Sequence, residues 1–149
     1  MKVMCVVMLA RPNIAAHGTV ASRASDERAL RYSNARQTLC KPLHRHQAIH
    51  FMLADMKTDI EASRMLTWKS ASEADAGVKN TESAAHAKRF ASDAAMKIST
   101  DAVQVYGGYG YSEEYPVARL MRAAKVMQIY EGSSQVQRMI IGREITKNL

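Results

Sequence analysis

One stretch constrains the fold of this chain more than any other. Residues 81–106 carry Ala84, Ala87, Ala91, Ala94 or Ala95, Ile98, Ala102 and Val105 at three- and four-residue steps. That spacing is one face of an α-helix. Because the face is built of small side chains, a neighbouring helix that covers it comes in close. A helix is therefore expected over 81–106. Gly107 and Gly108 end it, since glycine tolerates the left-handed conformation at a helix terminus.

The rest of the chain fits around that helix. Ile49, Leu53, Met56, Ile60 and Ser63 form a second stripe, predicting a helix from about residue 43 to 74. Residues 77–81 are the turn, with Asn80 or Thr81 as N-cap. A less regular helix is expected from Asn13 to Arg36, opened by Pro12 in its first turn, with Ile14, Val20, Ala24 and Tyr32 as core contacts. Residues 37–42 break it, because Pro42 disfavours helix just before it. Residues 107–115 read as a loop, and a short helix runs from Pro116 to about Lys125. Residues 126–132 read as non-helical. A last helix begins at Ser133 or Ser134, where Ser134 and Gln137 have capping-box spacing. Val136, Met139, Ile140 and Arg143 share a face of it. The expected fold class is all-α: an antiparallel, four-helix-bundle-like domain of three long helices, one short and one terminal.

Composition narrows the function. With 7 glycines, 3 prolines and many Ala, Met and Leu, the balance favours helices. No run approaches the roughly 20 apolar residues of a membrane span. The net charge of +7 reads first as a solvated basic surface and second as suiting a phosphate-bearing ligand. The basic residues are scattered, without an RNP-like or zinc-finger pattern, so no nucleic-acid partner is expected. Cys5 and Cys40 make no disulfide framework, which suits a reducing compartment. No metal site is expected: His46 and His50 lack the glutamate of a zincin, and Glu82 with His86 has no second pair. His44, His46 and His50 read as solvent-facing. The opening MKVMCVVMLA lacks a convincing cleavage site and reads as a buried strand end or domain entry.

Three strings go further. DAVQVYGGYGYSEEYPVARLMRAAK (101–125) and QIYEGSSQVQRMIIGRE (128–144) resemble the C-terminal signatures of the acyl-CoA dehydrogenase family in order and spacing. NARQTLCKPLHRHQAIHFMLADM (34–56) resembles its ERxxFGxPLxxxQAxxFxLAxM segment. The resemblance implies that residues 11–149 are the family's C-terminal helical domain. Residues 1–10 would be the remnant of a middle β-domain or linker, with an N-terminal helical domain further upstream.

It also implies a chemistry. The family's reaction removes a proton α to a thioester carbonyl while the β-carbon delivers hydride to FAD. A weakly acidic proton calls for a close carboxylate and for donors on the carbonyl oxygen. The resemblance places that base at Glu131, with the Glu131 N–H and a flavin hydroxyl as donors. It implies substrate contacts at Tyr130, Gly132 and Arg11, although residues 8–11 (MLAR) lack the family's Asp before the arginine. Arg36, with Gln37 and Thr38, and Gln104, Gly107 and Gly108 would contact the FAD of a neighbouring subunit. Ser133 and Gln135 would contact the flavin or its adenosine portion. Read without the resemblance, Glu131 is a solvated loop glutamate, Arg36 an exposed base at a helix end, Gly107 a C-cap and Ser133 an N-cap. Leu39 and Cys40 stand where the family has Phe-Gly, and Ala123 where it has Asp.

The implied partners are an acyl-CoA substrate, electron-transfer flavoprotein as acceptor, and further copies in a homo-oligomer, a dimer of dimers. The implied location is cytoplasmic in a bacterium, or the mitochondrial matrix in a eukaryote. The alternatives are an inactive fragment or assembly module of the same family, or an acyl-CoA oxidase-like member.

Overall fold

The computed structural model describes residues 2–147 and 149. Six helices dominate: α1 (Lys2–Ala35), α2 (Gln47–Asp75), α3 (Thr81–Tyr106), α4 (Gly108–Tyr111), α5 (Pro116–Met127) and α6 (Ser134–Ile145). Between α1 and α2 lie a small antiparallel hairpin, β1 (Gln37–Thr38) with β2 (Lys41–Pro42), and a 3₁₀ turn over Leu43–Arg45. The all-α expectation holds.

Helix α3 is the central element, packed against α1, α2, α5 and α6. Its alanine face is buried as the spacing predicts: Ala84, Ala87, Ala91, Ala95, Ile98 and Ala102 are all almost inaccessible. One core cluster joins Ala29, Met56, Ile60, Ala94, Ile98, Ala102, Val105 and Val117. A smaller one joins Ala15, Ala87 and Ala91. Each fully buried Met56, Ile60 or Ile98 side chain contributes about 1.5–3 kcal/mol. Serines fill buried positions too. Ser22, Ser63 and Ser92 each donate to the carbonyl four residues back, so a small polar side chain packs without an unpaired hydroxyl.

Several expectations are corrected. Helix α1 does not start at Pro12: it is already helical from Lys2, with Pro12 inside it. A proline removes one i→i−4 bond, a local cost that regular helix on both sides outweighs. Val20, expected in the core, is 63% exposed. Ile14 is buried and Tyr32 packs against the main cluster. Residues 107–115 are not all loop, because α4 adds one helical turn. The Ser134–Gln137 capping box is absent. Ser133 is the N-cap, its hydroxyl accepting from the Val136 N–H, while Ser134 and Gln137 point inward to other partners.

Candidate active site around Glu131

Residues 128–133 connect α5 to α6 in a tight reversal. The Ser134 N–H closes it by donating to the Gln128 carbonyl at 2.9 Å. Inside the reversal Glu131 has φ 53° and Gly132 φ 85°. Two consecutive left-handed residues turn the chain back sharply. Glycine adopts this conformation freely; for a glutamate it costs about 1–2 kcal/mol. Something must hold it there.

The Gly132 carbonyl accepts two hydrogen bonds, from Lys88 Nζ at 2.8 Å and from Gln137 Nε2 at 2.9 Å. Gln137 Nε2 also reaches the Glu131 carbonyl at 3.3 Å. Asp93 of α3 secures the flanks: its Oδ1 accepts from Gln128 Nε2 at 2.8 Å and from Ser134 Oγ at 2.9 Å. Its Oδ2 lies 3.8 Å from Arg89 and 3.7 Å from Arg138. Lys88 and Gln137 are both fully buried. The loop is thus gripped from within the bundle, and Glu131 itself is half-buried.

Lys88 lies behind it, and Arg11 is near enough to Lys88 to oppose its charge. Burial pushes the Lys88 ammonium below the usual lysine range, against the pull of Asp93 and Glu131. Arg11 is 6% exposed, and its Nε and Nη1 have no partner among the described residues. Its acidity is raised by burial first and by Arg143 second. Buried positive charge beside the loop favours negative charge there.

The structure divides the residues that the sequence singles out. Tyr130, Glu131 and Gly132 share the loop. Ser133 and Gln135 follow it and line a surface depression with Asp93, Gln128 and Arg138. Arg36, Thr38, Gln104, Gly107 and Gly108 come together elsewhere, in an open groove of about 580 Å³ at the far end of α3. Asp93 and Gln104 are eleven residues apart on α3, roughly 16 Å along its axis. Within one chain these are two places, not one.

The groove has an aromatic wall. Tyr32 stacks on Tyr106 with ring centroids 4.0 Å apart. The exposed Arg36 guanidinium sits 5.8 Å above the Tyr109 ring. Thr38 is less free than expected, since its hydroxyl lies 3.1 Å from His46 Nε2. His44 Nδ1 lies 3.3 Å from the Ser33 carbonyl. These two histidines tie the hairpin to the helices rather than facing solvent; His50 does stay exposed.

Sequence reasoning missed Lys88 and Asp93. A signal for Lys88 was available. It lies four residues after Ala84 and three before Ala91, so a charged residue falls on the alanine face.

The fold and this loop define an all-α domain that presents a carboxylate on a strained connector, with a buried lysine behind it. Residues 3–146 match the family model described as acyl-CoA dehydrogenase, C-terminal domain, and the chain belongs to that family. It is 52% identical over 132 residues to a short-chain-specific acyl-CoA dehydrogenase of Megasphaera elsdenii, covering 89% of this chain and 34% of that protein. It is 47% identical over 139 residues to a cyclohexane-1-carbonyl-CoA dehydrogenase of Geobacter metallireducens, covering 93% and 37%. The solved butyryl-CoA dehydrogenase of Megasphaera elsdenii superposes with a TM-score of 0.94 at 48% identity, covering 95% of this chain and 37% of that one. The chain therefore spans about a third of the length of these relatives.

Proposed function

We propose that this domain supplies the catalytic base, and part of the FAD site, of an enzyme that dehydrogenates acyl-CoA thioesters between the α and β carbons. The observation that carries the reading is the Glu131 backbone, held left-handed by the double hydrogen bond on the Gly132 carbonyl. Such a connector fixes the backbone from which the carboxylate projects.

In this reading a Glu131 carboxylate oxygen takes the α-proton, breaking the C–H bond and leaving its electron pair on the thioester enolate. Among the described residues the Glu131 N–H has no backbone acceptor, so it is available to the thioester oxygen. Buried Lys88 and Arg11 add a positive field as that charge develops. FAD, when bound, supplies the hydride acceptor. The groove residues fit such a ligand. The Arg36 guanidinium is exposed and its forked donors suit a phosphate, and nothing stands within 4 Å of a Cβ at Gly107 or Gly108, so a nucleotide would meet bare backbone there. The family resemblance implies that a flavin at that groove belongs to a second copy, so the working unit in this reading is a homo-oligomer, and the separation of the groove from Glu131 is consistent with that. Exposed Val20, Phe51, Met65 and Trp68 leave apolar surface on α1 and α2 for other domains or copies. Electron-transfer flavoprotein is the proposed electron acceptor.

The test is Glu131→Gln in the protein assembled with its remaining domains. Turnover of a short acyl-CoA falls by about 10²–10⁴-fold with flavin content unchanged. Turnover close to that of the parent would remove Glu131 from the base role.

A further inference from the structure

We propose that Lys88 is a positioning residue for Glu131: its buried ammonium holds the Gly132 carbonyl and, through the left-handed Gly132, sets the direction of the Glu131 carboxylate. The inference rests on the preceding reading of Glu131 as the base.

Lys88 lies on the alanine face of α3, with no accessible surface. An ammonium there is costly, and an apolar side chain of similar length fills such a position without that cost. Its Nζ donates to the Gly132 carbonyl, 44 residues away, at 2.8 Å. The neighbouring Asp93 carboxylate is already engaged by Gln128, Ser134, Arg89 and Arg138. Satisfying the Gly132 carbonyl does not by itself require Lys88, because Gln137 already donates to it at 2.9 Å. What a second, charged donor adds is stiffness in the Gly132–Ser133 peptide, one residue beyond the left-handed glutamate. With one grip removed, the Glu131 backbone relaxes toward right-handed values and the carboxylate swings away from the substrate carbon. Displacement of about 1 Å is enough to cost roughly 10²-fold in rate.

The experiment compares Lys88→Met, Lys88→Gln and Lys88→Arg in the complete flavoprotein, with Glu131→Gln run in parallel. Glutamine is one atom too short to reach the carbonyl, whereas arginine keeps charge and reach. The expected result for Met and Gln is a kcat at least about tenfold lower. Their KM for acyl-CoA stays within about threefold, flavin per subunit is unchanged, and the α-deuterium isotope effect on kcat grows. Arginine recovers part of kcat. A flavin-loaded Met or Gln variant with normal kcat overturns the inference. So does a loss that follows flavin content or KM alone, or failure of both variants to accumulate as flavin-loaded protein, which would make Lys88 a folding residue. If Glu131→Gln itself retains turnover, the reading of the base fails. If it is inactive while Lys88→Met is normal, only this inference fails.

Discussion

Gly18 of α1 lies so close to the Ala91 carbonyl of α3 that a Cβ built on it meets that oxygen at 2.9 Å. This contact makes α1 a close neighbour of the alanine face although its own apolar stripe is irregular. Alanine in place of glycine inside a helix gains about 0.5–1 kcal/mol. Overpacking against a backbone oxygen that cannot rotate away costs about 1–3 kcal/mol. The second effect is the larger, so Gly18→Ala destabilises by roughly 1 kcal/mol and Gly18→Val by more. Denaturant unfolding of the two variants measures this; a Gly18→Ala midpoint at or above the parent's would mean that α1 shifts away at no cost.

The β1–β2 register pairs Thr38 with Lys41, leaving Leu39 and Cys40 as a two-residue turn at φ 49° and 59°. Two positive φ values are the signature of a type I′ turn, which favours Asn-Gly or Gly-Gly. Cysteine at that second position is strained, and it stands where the resembled family pattern has glycine. Cys40→Gly relieves the strain but gives the unfolded chain more freedom, for a net gain of about 0.5 kcal/mol. Thermal melting should rise by a degree or more. A lower melting temperature would mean that the Cys40 side chain contributes more than its backbone loses.

Asp26 is 6% exposed, and burial holds its carboxyl above the ordinary range, with Lys57 opposing and Glu27 adding to the shift. A raised folded value means that the native state is penalised once this group ionises. The penalty is absent below the unfolded value of 3.8, grows as pH rises through the window between the two values, and is complete above the folded one. Asp26→Asn should therefore melt above the parent at pH 7, with the difference shrinking as pH falls toward 4. A variant less stable than the parent at pH 7 would show that the Lys57 attraction outweighs burial.

Arg36 is the exposed cation at the mouth of the groove beside Gln104, Gly107 and Gly108. A charge-assisted bond to phosphate is worth about 1.5–3 kcal/mol, so Arg36→Ala should weaken FAD binding by roughly 10- to 100-fold. Arg36→Lys should fall between, because a point charge replaces a two-pronged donor. Titration of the deflavinated assembly with FAD, followed by flavin fluorescence, gives the three affinities. Equal values for Arg36→Ala and the parent would place the pyrophosphate elsewhere.

Much of this molecule is legible one segment at a time. The alanine steps of 81–106, the stripe from Ile49 to Ser63 and the stop at Gly107 announce helices because periodicity and capping are local properties. The IYEG string, through the family resemblance, puts Glu131 forward as the proposed base before any packing is known. Errors fall where two local signals compete or where a partner decides. Pro12 reads as a helix start, yet the residues before it continue the helix. Val20 fits a helical step, yet no element covers it. Ser134 has capping-box spacing, yet Asp93 draws its hydroxyl inward and Ser133 takes the cap.

Helical periodicity and turn chemistry thus settled which segments coil and where they stop. Folding in three dimensions settled which face each helix buries, that the residues proposed to face the cofactor divide between two ends of α3, and that Lys88 grips Gly132. The reason is physical: a hydrogen bond spanning 44 residues leaves no mark on the spacing around either end. Only when α6 and its preceding turn close over α3 does a lysine that looks like surface become the anchor of the loop.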